Sequence, residues 1–478
     1  MVKITARAVI LQKEQIYLRN LNHMDSNLVI SRLITFYNND QFSKIYTLLA
    51  PEFQEVFTEE SVIDFYKNEV KRILGEVIYW KHITDDNDTA EYLVDFREGE
   101  LSLKVIVTAD NLIEYHEWAP VSKEEVILNA RDPLTIRSNN PKQTKLHRFI
   151  DKKAIQYLRD PDNRGLSIGL INGTYTETFF YGETKGGNNT LPDSQSLYEI
   201  GSISKTFTAI ILSHAVHQGK IKLRDDIRKY LPGNYPNLQF EGTPIKIVDL
   251  SNHTSGLPGI PANLEDHPDY DMDNPYHNYS REMIYEYLRD FVPDELPGLR
   301  AEYSNLGFAI LGIILENAYQ VPLKTLLQEI ITAPLEMTDT SFDVQKKHKA
   351  FLTTGYNDEE GKDVAYWDMG TFKAAGGLKS NINDMITYLR ANMEDYNKDI
   401  SLSHQETDLQ PGFGRGLAWI VQFLNDAVII WHNGGTAGFR SFCGFSKERQ
   451  AAIVVLSNSS KDVDSLALEI LLHLIQNQ

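Results

Sequence analysis

The stretch Tyr198-Glu-Ile-Gly-Ser-Ile-Ser-Lys-Thr-Phe-Thr208 governs how the rest of the chain is read. It places Ser202 and Lys205 three residues apart at the start of a helical pattern. Ile203, Phe207, Ile210, Ile211 and Ala215 recur at helical spacing, and Gly219 stands where a helix would stop. Residues three apart on a helix share a face. A lysine amine beside a serine hydroxyl can take its proton, which makes the serine a nucleophile without a histidine triad. Ser202 is expected in the first helical turn, where unpaired N–H groups and the helix dipole favour an alkoxide or oxyanion. Alone, the spacing reads equally as a capping serine followed by a surface lysine. Two further stretches decide between these.

The first is Tyr303-Ser-Asn305, inside Arg300-Ala-Glu-Tyr-Ser-Asn-Leu-Gly-Phe308. The apolar run from Phe308 to Glu316 reads as a buried helix, so Tyr303 lies in the turn that feeds it. A phenol near a lysine ammonium is expected to lose its proton more easily. It can act as general base or protonate a leaving group. Asn305 offers an amide for the lysine or for a substrate carbonyl. The second stretch is Trp431-His-Asn-Gly-Gly-Thr-Ala-Gly-Phe-Arg440. It reads as a Gly-rich turn between the strands Ala427–Trp431 and Phe439–Phe445, with a third strand at Ala451–Leu456. Glycines at 434 and 435 let a substrate approach the backbone and leave an N–H free for an oxyanion. His432 stands at its edge.

In this order the three elements resemble the serine β-lactamase and penicillin-binding-protein superfamily, with its Ser-x-x-Lys, Tyr-x-Asn or Ser-x-Asn, and Lys-Thr-Gly or His-x-Gly motifs. Gly219 to Pro232, Leu250-Ser-Asn-His-Thr-Ser-Gly-Leu-Pro258 and Ala374-Ala-Gly-Gly-Leu-Lys-Ser380 resemble further landmarks of its class C branch, which includes esterases and D-amino-acid peptidases. The resemblance runs from about residue 143 to the C-terminus. It implies an α+β fold in which the first and last strands share one antiparallel sheet, a helical region over about 206–380 lies between, and the site forms where the two meet. It implies an acyl-enzyme on Ser202, with Lys205 and Tyr303 as proton carriers. The N–H groups of Ser202 and Gly435 would form an oxyanion hole, with Asn305, His432 and Gly434 positioning substrate. His432 departs from the antibiotic-hydrolysing members, which carry a lysine there. A histidine is mostly neutral at pH 7, so a β-lactam carboxylate loses an attractive partner. An esterase or D-amino-acid peptidase is therefore expected ahead of a true β-lactamase or DD-carboxypeptidase. An inactive penicillin-recognising sensor or scaffold is the alternative of another class.

The chain has 478 residues, 42% of them hydrophobic, and a formal charge of −19. That balance argues against nucleic acid and anionic membranes as partners and leaves a small-molecule ester, amide or peptide. A single cysteine, Cys443, excludes an internal disulfide and reads as a small buried hydrophobe. No His-Glu-x-x-His pattern occurs, and the chemistry above calls for no metal or cofactor. The apolar run in the first twenty residues is broken by Lys3, Arg7, Lys13, Glu14 and Arg19. The chain as written thus reads as cytoplasmic, or as exported if its true start differs.

Residues 1–26 read as an N-terminal extension and 27–120 as a separate domain. Helical spacing over 27–38, 41–49 and 61–70, with Thr58 as a cap, precedes alternating runs at 76–83, 89–96, 101–108 and 111–118. Helices followed by a meander mean α+β, and the order resembles the nuclear-transport-factor-2-like cone. Such cones hold a ligand, pair into homodimers through the open sheet, or serve as packing appendages. Residues 121–142 read as a linker and 143–478 as the hydrolase domain, opened by a helix over 143–158 and a strand pair at 165–171 and 174–181. The acidic loop Glu265 to Pro275 lacks an EF-hand glycine and reads as a solvated loop that could overhang the cleft.

Overall fold

The computed structural model describes residues 26–477, apart from 87–88, 98, 109–110, 121–130, 358–360, 411–412 and 425–426. The N-terminal extension therefore lies outside the described residues except for Ser26, as does the linker up to residue 130. The chain divides into two compact units between Leu128 and Asn129.

In the first unit, α1 (Ser26–Asn38) buries Val29, Ile30, Leu33, Ile34 and Tyr37, one stripe at helical spacing. Thr58 caps the short helix Glu59–Asp64 by accepting from the Ser61 N–H at 3.2 Å, and a π-helical stretch, Phe65–Lys71, follows. Strands β1 (Val77–Asp86), β2 (Thr89–Phe96), β3 (Gly99–Val107) and β4 (Ile113–Pro120) form an antiparallel meander in chain order. Ala90, Tyr92 and Val94 alternate inward along β2, so one sheet face meets the helices in a core with Tyr37 and Tyr66.

The second unit begins with a strap rather than a free connection. Ser138 bridges Tyr181, the Asn139 N–H donates to the Phe180 carbonyl at 3.2 Å, and the Asn140 amide donates to the Tyr181 hydroxyl at 2.6 Å. Helix α2 (Lys145–Leu158) follows, capped by Thr144, then the hairpin β5 (Gly165–Asn172) and β6 (Tyr175–Gly182). After the two-residue strand β7 (Tyr198–Glu199) come helices α3 (Ser204–His217) and α4 (Asn305–Tyr319), and β8 (Lys379–Ser380) pairs back onto β7. Helix α5 (Ile382–Met393) precedes β9 (Asp408–Gln410), β10 (Phe413–Arg415), β11 (Ile420–Leu424), β12 (Ala427–Gly435), β13 (Arg440–Ser446) and β14 (Ala451–Ser457). Helix α6 (Asp464–Gln476) closes the chain.

The main sheet has eight strands in the order β9-β10-β11-β12-β13-β14-β5-β6, antiparallel throughout. The N-terminal hairpin therefore adds to the C-terminal strands, with Ile453 opposite Leu170. Every residue of β14 is buried, which requires cover on both faces, and α2, α5 and α6 pack around this part of the sheet.

Two helices carry the site into the core. From Ser204 to Ser213 α3 is buried all round, wider than its apolar stripe suggests, with Phe207 stacked on Tyr388 at 3.9 Å. It stops at Gly219, whose φ of +68° suits glycine. From Leu306 to Leu315 α4 is equally buried. Gly312 lets the short helix Lys373–Gly376 approach α4: a Cβ there would lie 2.6 Å from that of Ala374. That approach positions the Ala375 carbonyl.

Candidate active site

Ser202 stands in a 3-10 turn, Gly201–Ile203, that runs directly into α3. It thus precedes the first α-helical turn expected for it, and Gly201 takes the turn's φ of +47°. Three residues on, the Lys205 side chain points back along the helix, buried at 0% exposure. Tyr303 precedes α4, whose cap is Ser304: its Oγ accepts from the Gly307 N–H at 2.9 Å. Asn305 is the first residue of α4. Segments a hundred residues apart therefore deliver these groups to one point.

The Tyr303 hydroxyl lies 2.5 Å from Ser202 Oγ, and Lys205 Nζ lies 3.0 Å from the same atom. Lys205 Nζ also donates to Asn305 Oδ1 and to the Ala375 carbonyl, both at 2.7 Å. Those two oxygens only accept. A neutral amine spends its two N–H groups on them and turns its lone pair to Ser202. No carboxylate touches Lys205 among the described residues, and burial holds its pKa well below the ordinary lysine range. Nζ also sits 4.6 Å above the Tyr303 ring.

Close packing pushes the Tyr303 phenol pKa up, and the openness of the residue, 48% exposed, limits the push. The expectation that lysine would ease deprotonation of this phenol is corrected here. It presumed an ammonium, and burial favours the neutral amine, so the attraction that would lower the phenol pKa is absent.

Two neutral histidines flank the centre. His253 Nδ1 accepts from the Ser304 N–H at 3.0 Å, so its proton is on Nε2. Its ring packs against that of Tyr303 at 4.4 Å. Burial keeps its pKa well below the usual value. His432 has the opposite tautomer: Nδ1 donates to the Asn433 carbonyl at 2.5 Å, leaving Nε2 an acceptor. Burial pushes its pKa down to about 4.

The stretch His432–Gly435, expected as a turn, is strand: β12 continues through Gly435 and the turn falls at 436–439. The Thr436 N–H bonds the Phe439 carbonyl at 3.0 Å. By the alternation of an antiparallel ladder, Gly435 then faces Arg440 as a non-hydrogen-bonded pair, with its N–H pointing away from β13. On that side β11 pairs no further along β12 than Trp431. The glycines are required by proximity to Ser202. A Cβ on Gly434 would run into the Ile200 carbonyl and lie 3.0 Å from the Ser202 nitrogen; one on Gly201 would lie 2.6 Å from the Gly435 nitrogen.

Ser202, Trp367, Gly434, Gly435 and Arg440 line a cleft of about 440 Å³. Cys443, opposite His432 on β13, is buried. Among the described residues no group of three or more His, Cys, Asp or Glu side chains is placed to hold a metal ion.

All seven residues singled out from the sequence converge here. Sequence reasoning missed the Ala375 carbonyl, which has no side-chain signal. It also missed His253, quoted within a landmark but given no task.

The sequence pattern of the Beta-lactamase family matches residues 150–477. The D-alanyl-D-alanine-carboxypeptidase/endopeptidase AmpH of Escherichia coli (strain K12) is 28% identical over 334 residues, 65% of this chain and 84% of that protein. A Beta-lactamase of Providencia stuartii is 26% identical, over 62% of this chain and 82% of the relative. Among solved structures, a Beta-Lactamase/D-Alanine Carboxypeptidase from Pseudomonas syringae superposes with a TM-score of 0.60 over 70% of this chain and 99% of its own. At 21% identity that likeness speaks for the fold.

Proposed function

This chain belongs to the beta-lactamase family, and on that premise we propose that it hydrolyses an ester or amide through an acyl-enzyme on Ser202. The observation that carries the reading is the setting of Lys205 Nζ: it donates to Asn305 Oδ1 and to the Ala375 carbonyl at 2.7 Å and lies 3.0 Å from Ser202 Oγ, within reach of that hydroxyl's proton. Lys205 takes the serine proton as Ser202 attacks the carbonyl. The Ser202 and Gly435 N–H groups hold the developing oxyanion, a contribution of roughly a hundredfold or more per donor. Tyr303, kept protonated, passes its proton to the leaving group and is reprotonated by the Lys205 ammonium, which carries the proton taken from Ser202. Water then enters, loses its proton by the reverse route and releases the acid. Proton transfers among such close groups belong to the cluster as a whole.

His432 shapes substrate choice. Neutral, with Nε2 as acceptor, it offers a hydrogen-bonding partner to a substrate N–H or O–H and no charge to a carboxylate. This favours an esterase or D-amino-acid peptidase. One observation favours the second reading, a β-lactamase or D-alanyl-D-alanine carboxypeptidase: the Arg440 guanidinium lines the same cleft. Its NH1 is already spent on the Thr436 and Phe439 carbonyls, at 2.7 and 3.0 Å, which weakens its claim on a substrate carboxylate.

The test is intact mass after treatment with a fluorophosphonate, with hydrolysis of p-nitrophenyl acetate, a D-amino-acid amide and nitrocefin measured in parallel. One adduct on Ser202, lost in Ser202→Ala, is expected. No adduct on a folded protein would leave a scaffold. His432→Lys should raise turnover of nitrocefin relative to acetate by about tenfold, and an unchanged ratio would remove the carboxylate argument.

A further inference from the structure

Beside the cleft at Ser202, of about 440 Å³, lies a second cavity of about 750 Å³, and Trp367 lines both. We propose that Trp367 is a specificity-determining wall, limiting the length of the substrate's acyl group by closing the cleft off from that second cavity. The inference rests on the acyl-enzyme reading above and names the part of the substrate that this wall meets.

The wall is held from three directions. The Trp367 N–H donates to Glu199 Oε1 at 2.7 Å. Its carbonyl accepts from Lys379 Nζ at 2.9 Å, and its indole N–H donates to the Asp273 carbonyl at 2.9 Å. Glu199 and Lys379 are 3% and 5% exposed, face each other across β7 and β8, and approach to 3.7 Å. A buried pair of this kind is costly to break, because losing one partner strands the other's charge. Glu199 lies three residues before Ser202, so the strand that leads to the nucleophile also holds the wall. The indole meets the Tyr276 ring edge-on at 5.7 Å. The Asp368 N–H donates to Asn274 Oδ1 at 3.0 Å, tying the acidic loop to the same assembly. A residue anchored at its backbone, its indole nitrogen and its ring face does not swing aside for a longer chain.

Beyond the wall, Ile313, Leu323, Phe342 and Val344 provide apolar lining. An acyl chain that passed the position of Trp367 would gain that surface, roughly fourfold in kcat/KM per buried methylene. With the indole in place, only short acyl groups fit between it and the strand at Gly435.

The experiment measures kcat/KM for p-nitrophenyl acetate, butyrate and octanoate on the full chain and on Trp367→Ala, Trp367→Phe and the double variant Trp367→Ala with Val344→Trp. The unmodified chain should prefer acetate. Trp367→Ala should raise the octanoate-to-acetate ratio by about tenfold or more, Trp367→Phe should hold it within about threefold, and Val344→Trp should bring it back down. A ratio unmoved in folded Trp367→Ala overturns the assignment. If that variant does not fold, Trp367→Leu is read by the same criterion. Absence of any Ser202-dependent ester hydrolysis in the unmodified chain would overturn the acyl-enzyme reading and this one with it. Hydrolysis with an unmoved ratio would overturn this one alone.

Discussion

Among the described residues Lys205 has no carboxylate partner, and its protonation state sets the proposed chemistry. Burial depresses its pKa, so the neutral form appears at lower pH than for an ordinary lysine, and it is lost as pH falls through the depressed pKa. kcat/KM for p-nitrophenyl acetate is therefore expected to climb with pH along one limb lying well below the ordinary lysine value of about 10.4. His432, pushed down to about 4, adds no limb between pH 5 and 8. Lys205→Arg, charged at every working pH, should lose at least a hundredfold in kcat. A climb centred near pH 10 would mean that the amine keeps its ordinary basicity and that the proton route is wrong. At this scale the sequence named the reacting groups correctly as neighbours but misjudged the phenol. Residue spacing carries no information about how deeply an amine is buried.

Helix α3 and strand β12 meet at Ser202, and the fit between them depends on hydrogen atoms where other residues have side chains. Gly434→Ala would press a methyl group into the Ile200 carbonyl and against the Ser202 nitrogen. The strand must shift, carrying the Gly435 N–H away from Ser202. The expected outcome is a fall in kcat of about a hundredfold and a stability loss of about 1–3 kcal/mol, measured by ester turnover and by denaturant unfolding. Wild-type turnover in that variant would show that Gly435 contributes no essential donor. Glycine at 434 and 435 suggested a turn because glycine tolerates turns; here both lie within a strand, Gly434 against the backbone of Ile200 and Ser202 and Gly435 against the Arg440 guanidinium. The helices were legible from periodicity and caps. What periodicity could not show is that α3 and α4 are buried on every side, since a helix in the centre of a fold need not display a single apolar stripe.

Each of the two units has its own apolar core, one around Tyr37, Tyr66 and Tyr92, the other around α3, α4 and the eight-stranded sheet. A chain starting at Asn129 keeps the strap at Ser138 and the whole of the second core. It should fold and hydrolyse p-nitrophenyl acetate within about threefold of the full-length rate, because the second unit holds its own core and every residue of the candidate site. A truncated chain that is folded yet inactive would make the first unit part of the catalytic apparatus. The sequence by itself determined the chemical inventory and the order of elements, because motif spacing and hydrophobic period are local properties of a chain. Tertiary structure alone decided that Lys205 is buried, that Ala375 and Asn305 accept from it, that His253 packs against Tyr303 and that Trp367 lines the cleft. Those facts depend on burial and on contacts between segments up to 170 residues apart, and packing sets both.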